Sequence, residues 1–165
     1  MDTHYYIVSQ LPMLFFGKET SITKDVFLEE ARKWMSDSEF DKLSSADVNN
    51  FSVSKKDSRV LQQYKNFESG LRSDIASWRD AQKRDLDYKP TTFSPSILKE
   101  GNPLEAELKL MEIRWNFLDE LEREHDFDLG TLILYYLKLQ LLQRFFTFDK
   151  EQGLNKFQKL YEVNV

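Results

Sequence analysis

At 165 residues the chain is long enough to bury a proper core, and one domain is the default. The absence of cysteine removes disulfides, thiolate metal sites and thiol nucleophiles together, and fits the cytoplasm. A formal net charge of −5 spread over mixed acidic and basic residues argues against a general nucleic-acid binder, and no apolar run reaches the roughly 18 residues that a membrane span needs.

Asp2 and His4, with no basic region around them, do not read as a signal peptide. The stretch His4–Phe16 supports two readings. Its aromatic and β-branched residues favour an extended segment, whereas Tyr5, Val8 and Leu11 also suit one helical face. Pro12 disfavours the helical region for Leu11, so a break is expected there. Gly17 to Ser21 reads as a loop. Thr23 can cap a helix from Lys24 to about Met35, with Val26, Phe27, Ala31 and Trp34 turned inward. Ser36 and Glu39 fit a capping box that opens a short helix to about Leu43. The polar run Ser44–Lys56 has no sustained period and reads as a loop.

A long helix follows from about Ser58 to Asp85, because Val60, Tyr64, Phe67, Leu71, Ile75 and Trp78 recur by threes and fours. Its opposite face, with Arg59, Lys65, Arg72, Arg79 and Lys83, reads as solvated. Tyr88–Pro103 is a linker punctuated by Pro90, Pro95, Gly101 and Pro103, with room for one turn at Ile97–Glu100. Asn102, Pro103 and Glu105 then form a helix start, and Leu104, Leu108, Met111, Trp115 and Leu118 form its apolar stripe. Phe127 and Asp128 break the pattern, and Asp128 can cap a helix from Leu129 to about Phe148. That helix is apolar nearly all round and is expected to be the core element. Lys138 and Arg144, which interrupt it, are expected to reach the surface along their stems. Asp149 can cap a last helix through about Tyr161, with Leu154, Phe157 and Leu160 inward.

The expectation is therefore an all-α chain: a bundle of long antiparallel helices with a short N-terminal segment that is extended or helical. It divides into an N-terminal segment with short helices (1–44), a loop and long helix (45–89), a linker (90–102) and C-terminal helices (103–165), all within one domain. Five glycines and four prolines suit long helices with few tight turns. Thirteen Phe, seven Tyr and three Trp fill cores and are also enriched at protein–protein interfaces. Trp34, Trp78 and Trp115 are each assigned to the core.

Chemistry-bearing patterns are sparse. The acidic corner holds Asp119, Glu120, Glu122, Glu124, His125, Asp126 and Asp128. Within it Glu122 and His125 make one Glu-x-x-His pair of the kind used by carboxylate-bridged di-iron bundles, which need a second pair and further glutamates. The other histidine, His4, sits in no such pair. No Ser or Thr lies in a glycine-flanked elbow, and no phosphate-binding glycine loop occurs. The residues thus point to a non-enzymatic protein with no catalytic, cofactor or metal residues. The positions chosen as a possible interaction surface are Tyr5, Tyr6, Glu122, Glu124 and Asp126. A metal-dependent helical-bundle enzyme is the distant alternative.

Two segments carry a family resemblance. Tyr5–Phe16 (YYIVSQLPMLFF), followed by VFLEEARKWM, and Asn102–Phe157, with Arg114-Trp115, Phe127-Asp128-Leu129 and YYLKLQLLQRF, together resemble an uncharacterised bacterial family encoded within V-type ATP synthase operons. The chain departs from that pattern at Phe146, where the family often has Trp, and the stretch from about Ser44 to Gly101 lies outside the resemblance. The resemblance implies a cytoplasmic, non-catalytic accessory or central-stalk component with V-type ATPase subunits as partners. Its counterpart would be the C-type stalk protein of V/A-type ATPases, an all-helical funnel that seats the rotor shaft on the membrane ring. The resemblance also leaves room for a stand-alone helical interaction module or assembly factor.

Overall fold

The computed structural model describes the backbone of residues 3–99 and 102–163 and the side chains of 4–99 and 102–148. Within those residues the chain is all-α, with seven helices and no strand. They are α1 (Thr3–Gln10), α2 (Lys24–Trp34), α3 (Asp37–Ser44), α4 (Arg59–Lys83), α5 (Ser96–Lys99), α6 (Pro103–Glu122) and α7 (Leu129–Val163).

Local chemistry sets most of the helix starts. Thr23, Ser36, Ser58 and Asn102 each stand in extended backbone and accept a hydrogen bond from the amide three residues on. Glu39 answers its cap only through the side chain: its carboxylate accepts from the Ser36 hydroxyl at 3.2 Å, and not from the Ser36 amide as a full capping box requires. Asp128 opens α7 by accepting from the Thr131 amide at 2.9 Å and from the Thr131 hydroxyl at 3.1 Å. At the other end, Asp149 starts no new helix, since α7 runs on as one 35-residue element. The ladder of backbone bonds in an uninterrupted helix outweighs a capping side chain that lacks a turn to cap. The inward positions expected for Leu154, Phe157 and Leu160 lie outside the described side chains.

The N-terminal stretch divides between the two readings left open for it. Thr3–Gln10 is helical, and the chain leaves the helix at Leu11, before Pro12. Tyr135 Oη donates to the Pro12 carbonyl at 2.6 Å, which fixes the following strap against α7.

α7 is the core element. Leu132, Ile133, Leu134, Leu137 and Leu141 are fully buried, and α1, α2, α3, α4 and α6 all pack on it. A helix apolar on nearly every side requires neighbours on every side. Phe27 and Ala31 of α2 point into this core, while Val26 and Trp34 are exposed, contrary to their assignment as inward residues. A second, smaller core joins Leu71, Ile75 and Trp78 of α4 to Phe93 and to Leu110 of α6. Between the two, Phe67 of α4 stacks on Phe117 of α6 with centroids 4.0 Å apart.

Both irregular segments are anchored by polar side chains of the long helices. Gln140 of α7 accepts from the Val48 amide and donates to the Ala46 carbonyl, and Tyr64 Oη donates to the Val48 carbonyl at 2.6 Å. Ala46 and Val48 are therefore buried with their backbone satisfied. The linker is held to α4 by Asp74, whose carboxylate accepts from Tyr88 Oη at 2.5 Å, from the Thr91 and Thr92 amides at 2.9 and 3.0 Å, and from Thr92 Oγ1 at 2.6 Å. Burial pushes this carboxyl up, but those hydrogen bonds from Thr92, Tyr88 and Thr91 prevail and hold it below its ordinary range.

The charged face of α4 is only partly solvated. Lys65 is buried against Asp57 at 2.8 Å, and Arg72 donates to the fully buried Glu68 at 2.8 Å. Lys138 also departs from expectation: it is buried, not surface-reaching, because α6 presents carboxylates within reach of its ammonium.

Candidate interaction surface

The corner between α6 and α7 is built by local backbone demands. α6 ends at Glu122, and Phe127 takes a left-handed conformation with φ of +54°. Such a conformation is uncommon for an aromatic residue and turns the chain sharply. Asp128 then caps α7 while its second oxygen lies 2.9 Å from His125 Nδ1. Burial raises the Asp128 carboxyl, but contacts with His125 and Thr131 outweigh it and leave it below its ordinary range. Gly130 is required here by close approach. A Cβ at that position would lie 2.7 Å from His125 Nδ1 and 3.0 Å from Val60 Cγ2.

The Glu-x-x-His pair does not converge. Glu122 turns to Lys138, and His125 turns to Asp128. Among the described residues no group of His, Asp and Glu side chains is arranged to hold a metal ion.

Of the positions expected at an interaction surface, the structure brings Tyr5 to the acidic corner and keeps Tyr6 apart from it. The Tyr5 ring packs on Phe127 with centroids 4.7 Å apart. Tyr6, one residue on, packs on Trp34 of α2 at 4.8 Å. All four rings remain between 41 and 49 % exposed, so they pair without leaving water. His4, on the same helix, contacts Glu39 of α3. Glu124 and Asp126 are exposed beside Phe127. Glu122 plays a different part, because it and Asp119 clamp the Lys138 ammonium, which also sits 5.1 Å from the Trp115 ring centroid. Reversing the charge at Glu122 would therefore disturb a buried ion, unlike reversal at Glu124 or Asp126.

The corner is the most charged part of the chain. Residues 119–128 hold six carboxylates and one arginine, a formal −5 that equals the net charge of the entire chain. Sequence reasoning found the acidic corner and the exposed tyrosines. It missed Trp34, Phe127 and Lys138, since an aromatic residue or lysine at a helical period carries no mark of whether a neighbour covers it.

A family model described as a protein of unknown function (DUF2764) matches residues 79–163, just over half of the chain. That span includes α6, the corner and α7, while the Tyr5–Phe16 segment lies outside it. No curated protein and no solved structure matches the chain.

Proposed function

The chain belongs to the DUF2764 family of proteins of unknown function, and for it we propose a non-catalytic role as an accessory or central-stalk component, of the C-type stalk kind, in a bacterial V-type ATP synthase. It acts through helix surfaces, in the cytoplasm, and meets the membrane only through the complex. The operon resemblance of Tyr5–Phe16 and Asn102–Phe157 supports the identity of the partner.

The observation that carries the interaction reading is two half-exposed ring pairs held by α1: Tyr5 on Phe127, beside the exposed Glu124 and Asp126, and Tyr6 on Trp34 of α2. Large aromatic side chains lose apolar hydration when a partner covers them and are enriched at protein interfaces. A stalk protein transmits force by contacts of this kind and needs no reacting group.

Affinity purification of the tagged chain from its native host in mild detergent tests the reading. Recovery of head, shaft and membrane-ring subunits of a V-type ATPase in fixed ratio, retained through a high-salt wash, is expected. Loss of those subunits at high salt would favour a transient assembly factor. Their absence from a host that expresses the ATPase would overturn the partner.

A further inference from the structure

We propose that a cavity between the N-terminal strap and the α6–α7 pair is a socket for an arginine side chain carried by a partner protein. The cavity is about 410 Å³ and is lined by Phe15, Phe16, Trp115, Tyr135 and the Asp119–Glu122–Lys138 cluster. It is independent of the exposed ring pairs and of any particular partner complex.

The argument begins with the strap. Tyr135 fixes the Pro12 carbonyl and Leu14 is buried, so the intervening and following side chains turn outward. Met13 is 80 % exposed and Phe15 50 % exposed, so two large apolar groups stand at the rim, with the Lys18 ammonium 5.4 Å from the Phe15 ring centroid. Inside, Trp115 and Phe16 form an aromatic wall with centroids 5.7 Å apart.

Charge selects the occupant. Lys138 supplies one positive charge and Asp119 with Glu122 supply two negative ones, so the cluster carries a surplus carboxylate charge. Lys138 engages Asp119 Oδ1 and Glu122 Oε2. The second oxygen of each carboxylate accepts no hydrogen bond among the described residues, and both side chains remain partly exposed. An anion would be repelled, and a neutral ligand would gain nothing from the surplus charge.

A second cation on carboxylates already bound to one is an arrangement that this chain uses elsewhere. Glu68 is shared by Arg114 and Arg72, and Glu107 lies between Arg144 and Arg114. Guanidinium is favoured over ammonium because its planar fork can meet two carboxylate oxygens and its weakly hydrated face can lie against the partly exposed Phe16 and Phe15 side of the cavity. Its alkyl stem would lie against Met13 and Phe15, as a side chain entering from a partner surface requires.

The test is a titration of the purified full-length chain followed by nuclear magnetic resonance, with the Trp115 indole N–H as reporter and those of Trp34 and Trp78 as controls. The probes are N-acetyl-arginine methylamide, its uncharged citrulline counterpart, and spermidine. The arginine probe should give a saturable shift confined to Trp115, with the citrulline probe weaker by at least about tenfold. Asp119→Asn, which leaves Lys138 paired with Glu122 and removes the surplus charge, should weaken arginine binding by a similar factor of about ten. Phe15→Ser, at the exposed rim, should weaken it without touching the ion cluster. No saturable shift, equal binding of the citrulline probe, or full binding by Asp119→Asn would overturn the socket. Tighter binding of spermidine would overturn the side-chain assignment in favour of a free polyamine site. The titration contains no ATPase component, so its outcome and that of the affinity purification are separable.

Discussion

Arg114 of α6 lays its Nε and Nη2 against the two carboxylate oxygens of Glu68 on α4, at 2.7 and 2.9 Å, and both side chains are buried. The two-pronged geometry fixes the rotation of both helices about their axes as well as their separation. Burial disfavours the charged guanidinium, but the Glu68 hydrogen bonds and charge exceed that effect and raise the Arg114 pKa above its ordinary range. Nη1 of Arg114 makes no hydrogen bond and faces Glu107 at 3.8 Å.

Breaking this pair from one side should be severe. Arg114→Met leaves a buried carboxylate with only Arg72, and is expected to cost about 3–5 kcal/mol in urea unfolding. Replacing both partners, as Glu68→Leu with Arg114→Met, should recover most of that loss, since a packed apolar pair has no desolvation to offset. A double variant as unstable as the single one would show that the pair contributes net stability.

The Lys138 clamp should respond asymmetrically. Lys138→Met leaves Asp119 and Glu122 able to reach water, so the loss should stay near 1 kcal/mol or below. Removing both carboxylates, as Asp119→Ala with Glu122→Ala, strands a buried ammonium and should cost about 3–5 kcal/mol. Thermal unfolding of the two variants side by side distinguishes the cases.

Asp74 predicts an acid-sensitive linker. Its folded pKa lies below the ordinary value of 3.8, so its contribution is complete above 3.8 and disappears as pH falls through the folded value. Asp57 and Asp128 are depressed in the same direction. Stability should therefore fall with acidification below about pH 4, and Asp74→Asn should flatten that slope while lowering stability at neutral pH. Urea midpoints measured from pH 3 to pH 7 would reveal an unchanged slope if the carboxylate were not the cause.

The glycines of α4 and α7 should behave oppositely. A Cβ at Gly70 meets nothing within 4 Å, so Gly70→Ala should stabilise by about 0.4–1 kcal/mol. At Gly130 the same Cβ meets His125 and Val60 at 3.0 Å or less, so Gly130→Ala should destabilise by about 1–3 kcal/mol and displace His125 from Asp128. The His125 ring resonances report the displacement directly.

Leu137→Ala tests the central position of α7. Leu137 is fully buried, and its truncation should cost about 2–5 kcal/mol by lost transfer energy and an unfilled cavity. A smaller loss would mean that the surrounding helices close over the gap.

Local order alone determined the helical class and most helix starts. Thr23, Ser36, Asn102 and Asp128 cap where their hydroxyl, amide or carboxylate groups predict, because a cap is a contact between residues three apart. The all-round apolar character of α7 likewise marked it as the core element before any neighbour was known. The acidic corner was legible for the same reason, since it is one continuous stretch of sequence.

Only the tertiary structure decided the fate of the charged and aromatic residues. Lys65, Glu68, Asp74 and Lys138 look like surface residues in sequence, yet each is buried by partners that lie 8 to 46 positions away. Trp34 looks like a core residue, yet it stays 44 % exposed with the Tyr6 ring against it. Whether a polar group is solvated or an apolar one covered depends on which distant segment arrives beside it. Periodicity records the face of a helix but not the identity of the neighbour on that face.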